Sequence, residues 1–224
     1  MCSSDLTTGS SGVRVAVVDT GIRDNHPDLA GQLAPGRDFV GQDIGCWGSS
    51  CYYLGTYISA NDGNGWDSNP ADPGDWRDAG TCVGMGANPS TWHGTHVAGI
   101  VAAKRNNGIG VAGVAPTVKV QPVRVLGRCG GTDWDIAMGL LWASGGNVNS
   151  YDKTYGTIPV NRYPSKVINL SLGYTYDSAA EAAYWCRVYN QIGAVARGRG
   201  SILIAAAGNE SSPADRAVPA SCSG

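Results

Sequence analysis

Short apolar runs separated by polar, glycine-rich stretches organise this chain. Residues 13–18 are β-branched and apolar and run into Asp19-Thr20-Gly21, the pattern of a buried parallel strand whose carboxyl end carries an Asp into a turn. Residues 118–126, 167–170 and 202–206 read as three further buried strands, the last ending at Gly208-Asn209-Glu210. Between them lie helical patterns. From His93 the small residues Gly94, Ala98, Gly99, Ala102 and Ala103 permit a helix packed closely on a sheet, ended by Asn106-Asn107-Gly108. Residues 133–144 form an amphipathic helix, and Ser178-Ala179-Ala180-Glu181 is a capping box that opens a helix reaching about residue 197. Residues 41–92 are rich in Gly, Asp, Asn, Pro and Trp, lack periodicity, and read as long loops. Alternating strands and helices predict an α/β fold with a mainly parallel sheet. Sites in such sheets gather at the carboxyl ends of the strands, where Asp19, Ser171 and Asn209 fall.

Composition narrows the class. A length of 224 residues favours one domain, and 33 glycines dispersed among apolar runs indicate tight turns rather than a linker or collagen-like repeat. The net charge of −2 comes from 16 basic and 18 acidic residues with no basic block, so neither nucleic acid nor a membrane surface is an expected partner. No apolar run is long enough to span a bilayer. Seven cysteines (Cys2, Cys46, Cys51, Cys82, Cys129, Cys186, Cys222) show no paired C-x-x-C spacing, which points to disulfides and an oxidising compartment. Residues 1–12 are rich in Ser, Thr and Gly without the apolar core of a secretory signal, and read as a leader remnant or a segment foreign to the domain.

Two motifs invite other chemistry. His93 and His96 share a helical face and suit zinc by spacing, but the Glu of a His-Glu-x-x-His metal site is missing, and His96 reads as a hydrogen-bonded structural residue. Gly108-Ile109-Gly110-Val111-Ala112-Gly113 matches the dinucleotide fingerprint by letter. It follows a helix and precedes a strand, the reverse of what that motif needs, so no organic cofactor is expected.

Taken together, the segments are far more specific. Val15-Ala16-Val17-Val18-Asp19-Thr20-Gly21-Ile22, His93-Gly94-Thr95-His96-Val97-Ala98-Gly99 and Ala205-Ala206-Ala207-Gly208-Asn209-Glu210 resemble, in that order, the catalytic Asp, catalytic His and oxyanion-hole motifs of the subtilisin-like serine proteases (subtilases). The resemblance implies a three-layer subtilisin-like fold over residues 13–224. Asp19 would orient His93, His93 would act as general base and then acid, and the Asn209 amide would donate to the oxyanion. Ser171-Leu172-Gly173 resembles the family's substrate-binding strand, with Gly127 and Gly130 near the facing strand; Ala206, Gly208 and Glu210 would border the specificity pocket. The loop from Asn106 to Pro116 resembles the family's calcium loop, with Asn107, Ile109, Val111 and the remote Asp28 as ligands. Asp62, Asp67, Asp72 and Asp75 form a second oxygen-rich stretch open to another calcium ion or to plain solvation. Cys129 and Cys186 resemble a disulfide of secreted bacterial subtilases; Cys82 is left for Cys46 or Cys51, and Cys222 for a partner beyond Gly224.

One motif is missing. No Gly-Thr-Ser-Met-Ala segment follows Asn209, and none of Ser211, Ser212, Ser221 or Ser223 stands in that context. The expectation is a secreted serine endopeptidase acting on extended protein or peptide substrates, monomeric when complete, represented by a catalytic domain incomplete at both ends. Such a chain would be inactive and poorly soluble alone, its signal and propeptide not included. The alternative is a non-catalytic, subtilase-like module that binds extended peptides.

Overall fold

The computed structural model describes residues 8–47 and 50–223. Among the described residues nine strands and three α-helices follow one another: β1 (Arg14–Asp19), β2 (Arg37–Asp38), β3 (Ile44–Trp47), β4 (Ser50–Tyr53), α1 (His93–Ala102), β5 (Lys119–Arg124), α2 (Asp133–Ala143), β6 (Val167–Leu170), β7 (Tyr174–Thr175), α3 (Ala179–Gly198), β8 (Ile202–Ala205) and β9 (Ala217–Val218). Five of the strands make one parallel sheet in the order β2-β5-β1-β6-β8. The structure is therefore α/β, as the alternation of patterns predicts.

Successive side chains of a strand point to opposite faces, and β1 uses both. Ala16 and Val18 pack with Val123, Val125, Ile168, Leu170 and the buried face of α2 and α3, whereas Val17 joins Val120, Leu29, Ala98 and Ala102 on the α1 side. Helices cover both faces, giving three layers. Ala98 and Ala102 are fully buried, so α1 lies close on the sheet because its contact face carries only methyl groups.

Boundaries differ from the sequence reading where tertiary bonds intervene. The first helix stops at Ala102 rather than at Asn106, because the Lys104 N–H donates to the Asp28 carbonyl and the Ala103 carbonyl accepts from Gly113. The 41–92 stretch is not all loop: it contains the antiparallel β3–β4 hairpin, in which Cys46 stands opposite Cys51. Glycine and serine break the alternation of that hairpin, which is why its strands escape a pattern search. Ser178 caps α3 as expected, its hydroxyl accepting from the Glu181 N–H at 3.2 Å.

The disulfides overturn the pairings that resemblance suggested. Cys129 bonds Cys82 and Cys186 bonds Cys222, with Cα–Cα distances of 5.4 and 5.2 Å. Both fall in the range a bridge requires. Cys186 is buried on α3 against the segment that returns as β9, which brings Cys222 to it, while Cys129 lies in the turn after β5 and meets the 76–92 loop. Cys51 is also disulfide-bonded, so it is not left for Cys82. Cys2 and the rest of residues 1–7 lie outside the described residues. β8 borders the sheet among the described residues, and Ile202 and Ile204 on it are 60% and 51% exposed.

A buried cluster ties the loops to the sheet. Arg124, 1% exposed at the end of β5, donates to the Asp38 carboxylate, to the Ala60 carbonyl and, at 2.6 Å, to Asp62. Asp62 is thus an anion matched to Arg124.

Candidate active site

Asp19 ends β1, with Arg124 of β5 beside it in register, and the chain leaves the sheet through Thr20-Gly21. His93 opens α1 just behind Trp92, which adopts a left-handed conformation at φ 53°. The turn and the helix start touch directly. Gly94 lies where a Cβ would come within 2.3 Å of the Gly21 carbonyl oxygen, and its N–H donates to the Thr20 hydroxyl at 3.0 Å. Only a glycine allows this approach. In Gly94→Ala the helix start must retreat, and a stability loss of about 1–3 kcal/mol is expected in urea unfolding.

That contact places the His93 Nδ1 2.8 and 2.9 Å from the two Asp19 carboxylate oxygens. Asp19 is fully buried and the His93 side chain is 47% exposed. The hydrogen bond His93 donates to Asp19 raises the His93 pKa above the ordinary imidazole value, burial opposes it, and the charges of Asp19 and Asp75 add to the rise. With Nδ1–H given to Asp19, Nε2 is the basic nitrogen. The pair can hold an imidazole in one tautomer and stabilise it when it takes a proton.

Asp62, Asp67, Asp72 and Asp75 each take hydrogen bonds from protein donors. Among the described residues no three His, Cys, Asp or Glu side chains gather in a metal-holding group. Each carboxylate has its own partner: Asp72 accepts from the Thr20 hydroxyl at 2.8 Å and the Gly74 N–H, and Asp75 from the N–H and hydroxyl of Thr91. Asp67 accepts from Asn69 and Asn64. Asp72 and Asp75 therefore brace the two segments that carry Asp19 and His93. The sequence offered no sign of this, because bracing depends on hydroxyls 52 and 16 positions away.

His93 borders a cleft of about 690 Å³ that is also lined by Gly127, Gly130, Ser171, Leu172 and Gly173. These are the residues expected to form the two substrate-facing strands. Gly127 and Gly130 bridge each other across a tight turn, and Cys129 between them is tied to Cys82, so the disulfide pins that wall. The Ser171 hydroxyl accepts from Asn169 at 2.8 Å. Ala206, Gly208, Asn209 and Glu210 leave the sheet beside this wall, the Ala206 N–H donating to the Leu170 carbonyl, but they do not line the cleft. All four are exposed. The Glu210 carboxylate accepts from the Asn209 N–H and the Thr175 hydroxyl, and these bonds lower its pKa.

Sequence reasoning missed Asp133, Tyr176 and Tyr189, which line the same cleft from α2, the β7 connection and α3. Tyr189 donates to Asp133 at 2.8 Å and Tyr176 at 3.3 Å, and burial raises the Asp133 pKa. Residues 43 and 56 positions from Asp133 give no local signal.

The loop expected to hold calcium does wrap Asp28. Asn107 donates to one oxygen of the buried Asp28 carboxylate at 2.7 Å and the Val111 N–H to the other at 2.9 Å, while the Ile109 N–H turns back to Asn107. The Asn107 amide, then Val111, hold the Asp28 carboxyl below its usual pKa. Half a turn of the Asn107 amide exchanges its nitrogen for an oxygen. The set then offers a carboxylate and an amide oxygen, hard donors of the kind calcium takes.

A parallel sheet covered on both faces, with a buried Asp and a helix-borne His meeting at its carboxyl edge, defines a class. The model of the subtilase family (Peptidase_S8) matches residues 10–224, and the chain belongs to that family. It is 45% identical over 220 residues to an extracellular protease of Xanthomonas campestris pv. campestris, covering 97% of this chain and 33% of that protein. An extracellular basic protease of Dichelobacter nodosus is 42% identical over 217 residues, covering 94% of this chain and 31% of its own length. A solved protease structure from Pseudoalteromonas arctica superimposes with a TM-score of 0.81 at 43% identity, over 98% of this chain and 56% of that one. The chain thus spans about a third of the length of the curated relatives it matches. No described helix is long and apolar enough to cross a membrane.

Proposed function

We propose that this chain carries the proton-handling and peptide-docking parts of a secreted serine endopeptidase, hydrolysing extended peptides through Asp19, His93 and a serine that residues 1–224 do not supply in a recognisable motif. The observation that carries this reading is the contact of His93 Nδ1 with both Asp19 oxygens at the edge of a cleft walled by Ser171-Leu172-Gly173. An extended peptide laid along that wall places its scissile carbonyl within reach of the exposed side of the imidazole. Asp19 holds the ring and offsets its charge; His93 takes the proton of the attacking hydroxyl and returns it to the leaving amine. The extracellular naming of the two relatives supports secretion. The 224-residue chain is expected to bind extended peptides without cleaving them and to resist labelling by a serine-directed phosphonate. Turnover by the isolated chain that is lost with such a reagent overturns the assignment of the nucleophile.

Asn209 takes the oxyanion-donor role in this reading, supported by its place just after β8, next to the substrate wall. In an enzyme supplied with the nucleophile, Asn209→Ala lowers turnover by about 10²–10³-fold with peptide affinity unchanged. That magnitude is the one established for a subtilisin oxyanion Asn and is carried over from it.

Calcium is the ion proposed at Asp28, Asn107, Ile109 and Val111; its chemistry there is structural, closing the loop on the end of α1. Saturating calcium is expected to raise the melting temperature, by an amount equal to about 2.7 kcal/mol at a hundredfold excess over Kd. Asp28→Asn removes the rise. A melting temperature indifferent to calcium and chelator sinks the assignment.

A further inference from the structure

Within the cleft, the charges are nearly all spoken for. Asp19 and His93 hold each other. Arg77 donates to the carbonyls of Gly86 and Arg128, and the Arg128 guanidinium lies 4.0 Å from the centre of the Trp76 ring. Asp75 is held by both donors of Thr91. Asp133 is different: among the described residues no Lys, Arg or His pairs with it, and its only side-chain partners are the hydroxyls of Tyr189 and Tyr176. A half-buried carboxylate held by two neutral hydroxyls keeps lone pairs free and loses little by gaining a cation.

We propose that Asp133 makes the tyrosine-lined part of this cleft a receptor for one lysine or arginine side chain of a bound peptide. This rests on the peptide-docking reading above and adds a substrate preference to it. The surroundings suit a long cationic side chain at both ends. Leu126, Leu172, Ile136 and Val218 line the same cleft and give it an apolar boundary against which a methylene stem can lie. Tyr176 and Tyr189 line the cleft beside the carboxylate, and their hydroxyls hold it there. Two hydroxyls fix the direction of the carboxylate, so little is lost in ordering it when the ligand arrives. Placement in the first turn of α2 favours the ionised form, and burial opposes it. An acidic side chain at the same position meets an uncompensated like charge and is rejected.

The test uses the whole chain and calorimetric titration with acetylated alanine hexapeptide amides, each carrying lysine, norleucine or glutamate at one position. At one position, lysine is expected to bind about tenfold more tightly than norleucine, and glutamate more weakly than either. Asp133→Asn, which keeps the shape and the tyrosine contacts, should erase the lysine preference and leave the all-alanine peptide unaffected. If that variant proves unstable, the ordering of lysine, norleucine and glutamate in the parent chain decides the matter, together with Tyr189→Phe, which retains the carboxylate and so retains the preference. Binding of the alanine peptide with no position preferring lysine, or a preference that survives Asp133→Asn, overturns the proposal and leaves the docking reading standing. Absence of binding by every peptide overturns both.

Discussion

In Asp19→Asn, the His93 imidazole is expected to lose its proton at a lower pH than in the parent chain, and histidine resonances followed by NMR titration show the shift directly. The direction follows from the structure. The hydrogen bond to Asp19 is the largest influence raising the His93 pKa, its charge is a further one, and burial, which lowers it, remains when both are weakened. The neutral amide can also accept from Nδ1–H or donate to an unprotonated Nδ1, so the ring loses its single tautomer. Where this domain is joined to a nucleophile, turnover falls by about 10⁴-fold while peptide affinity holds, because the basic nitrogen is no longer reliably Nε2. Stability carries the same signature. A histidine whose folded pKa is raised lends stability that is complete below the unfolded value near 6.5 and fades as pH rises through the folded value. The variant should therefore lose its disadvantage above that range. His93 is about half exposed, so solvent screening keeps this part small. A His93 titration point unmoved by Asp19→Asn would mean that the contact is not made in solution.

Arg124→Ala is expected to have the largest effect on folding, about 3–5 kcal/mol in urea unfolding, because it removes one partner of a buried ion pair. Asp38 is fully buried and Arg124 is 1% exposed, so the carboxylate left behind has no water to replace the guanidinium. Burial already pushes the Asp38 carboxyl up to about 8 against the pull of Arg124. Without that pull the carboxyl rises further still, so the variant goes on losing stability at pH values where the parent has finished titrating. The loss should therefore be greater at pH 8 than at pH 6. The same side chain holds Asp62 and the Ala60 carbonyl, so the 60–62 turn is expected to loosen, visible as faster amide exchange there. Equal losses at the two pH values would show that Asp38 finds another partner when Arg124 is gone.

Much of the framework was legible because it is local. β6 runs over the predicted residues, β1, β5 and β8 differ from their patterns by a residue or two at an end, and Ser178 caps α3 through the bond its box implies. Asp19 and His93 were legible as motifs, and Gly94 is the residue that lets them meet, since any side chain there strikes the Gly21 carbonyl. The acidic stretch was open in the sequence for a physical reason. A carboxylate in a polar loop looks alike whether it faces an ion, water, a hydroxyl or a guanidinium, and only the fold shows that Asp62 meets Arg124, Asp72 meets Thr20 and Asp75 meets Thr91. Cysteine pairing was misread similarly. Sequence spacing says nothing of which Cα atoms come within bridging distance, and the return of the 211–223 segment over α3 brings Cys222, not Cys129, to Cys186.

The amino-acid sequence by itself determined the family, the α/β alternation, and the residues able to hold and move a proton, because each depends on side-chain periodicity or on a motif of contiguous residues. Tertiary structure alone decided what surrounds them: the 2.8 Å contact between Asp19 and His93, the hydroxyl braces behind it, the disulfide that pins the Gly127–Gly130 wall of the cleft, and the uncompensated Asp133 in it. Those features join residues dozens of positions apart. Their energies depend on distance and burial, which the order of residues along a chain does not state until the sheet has brought them together.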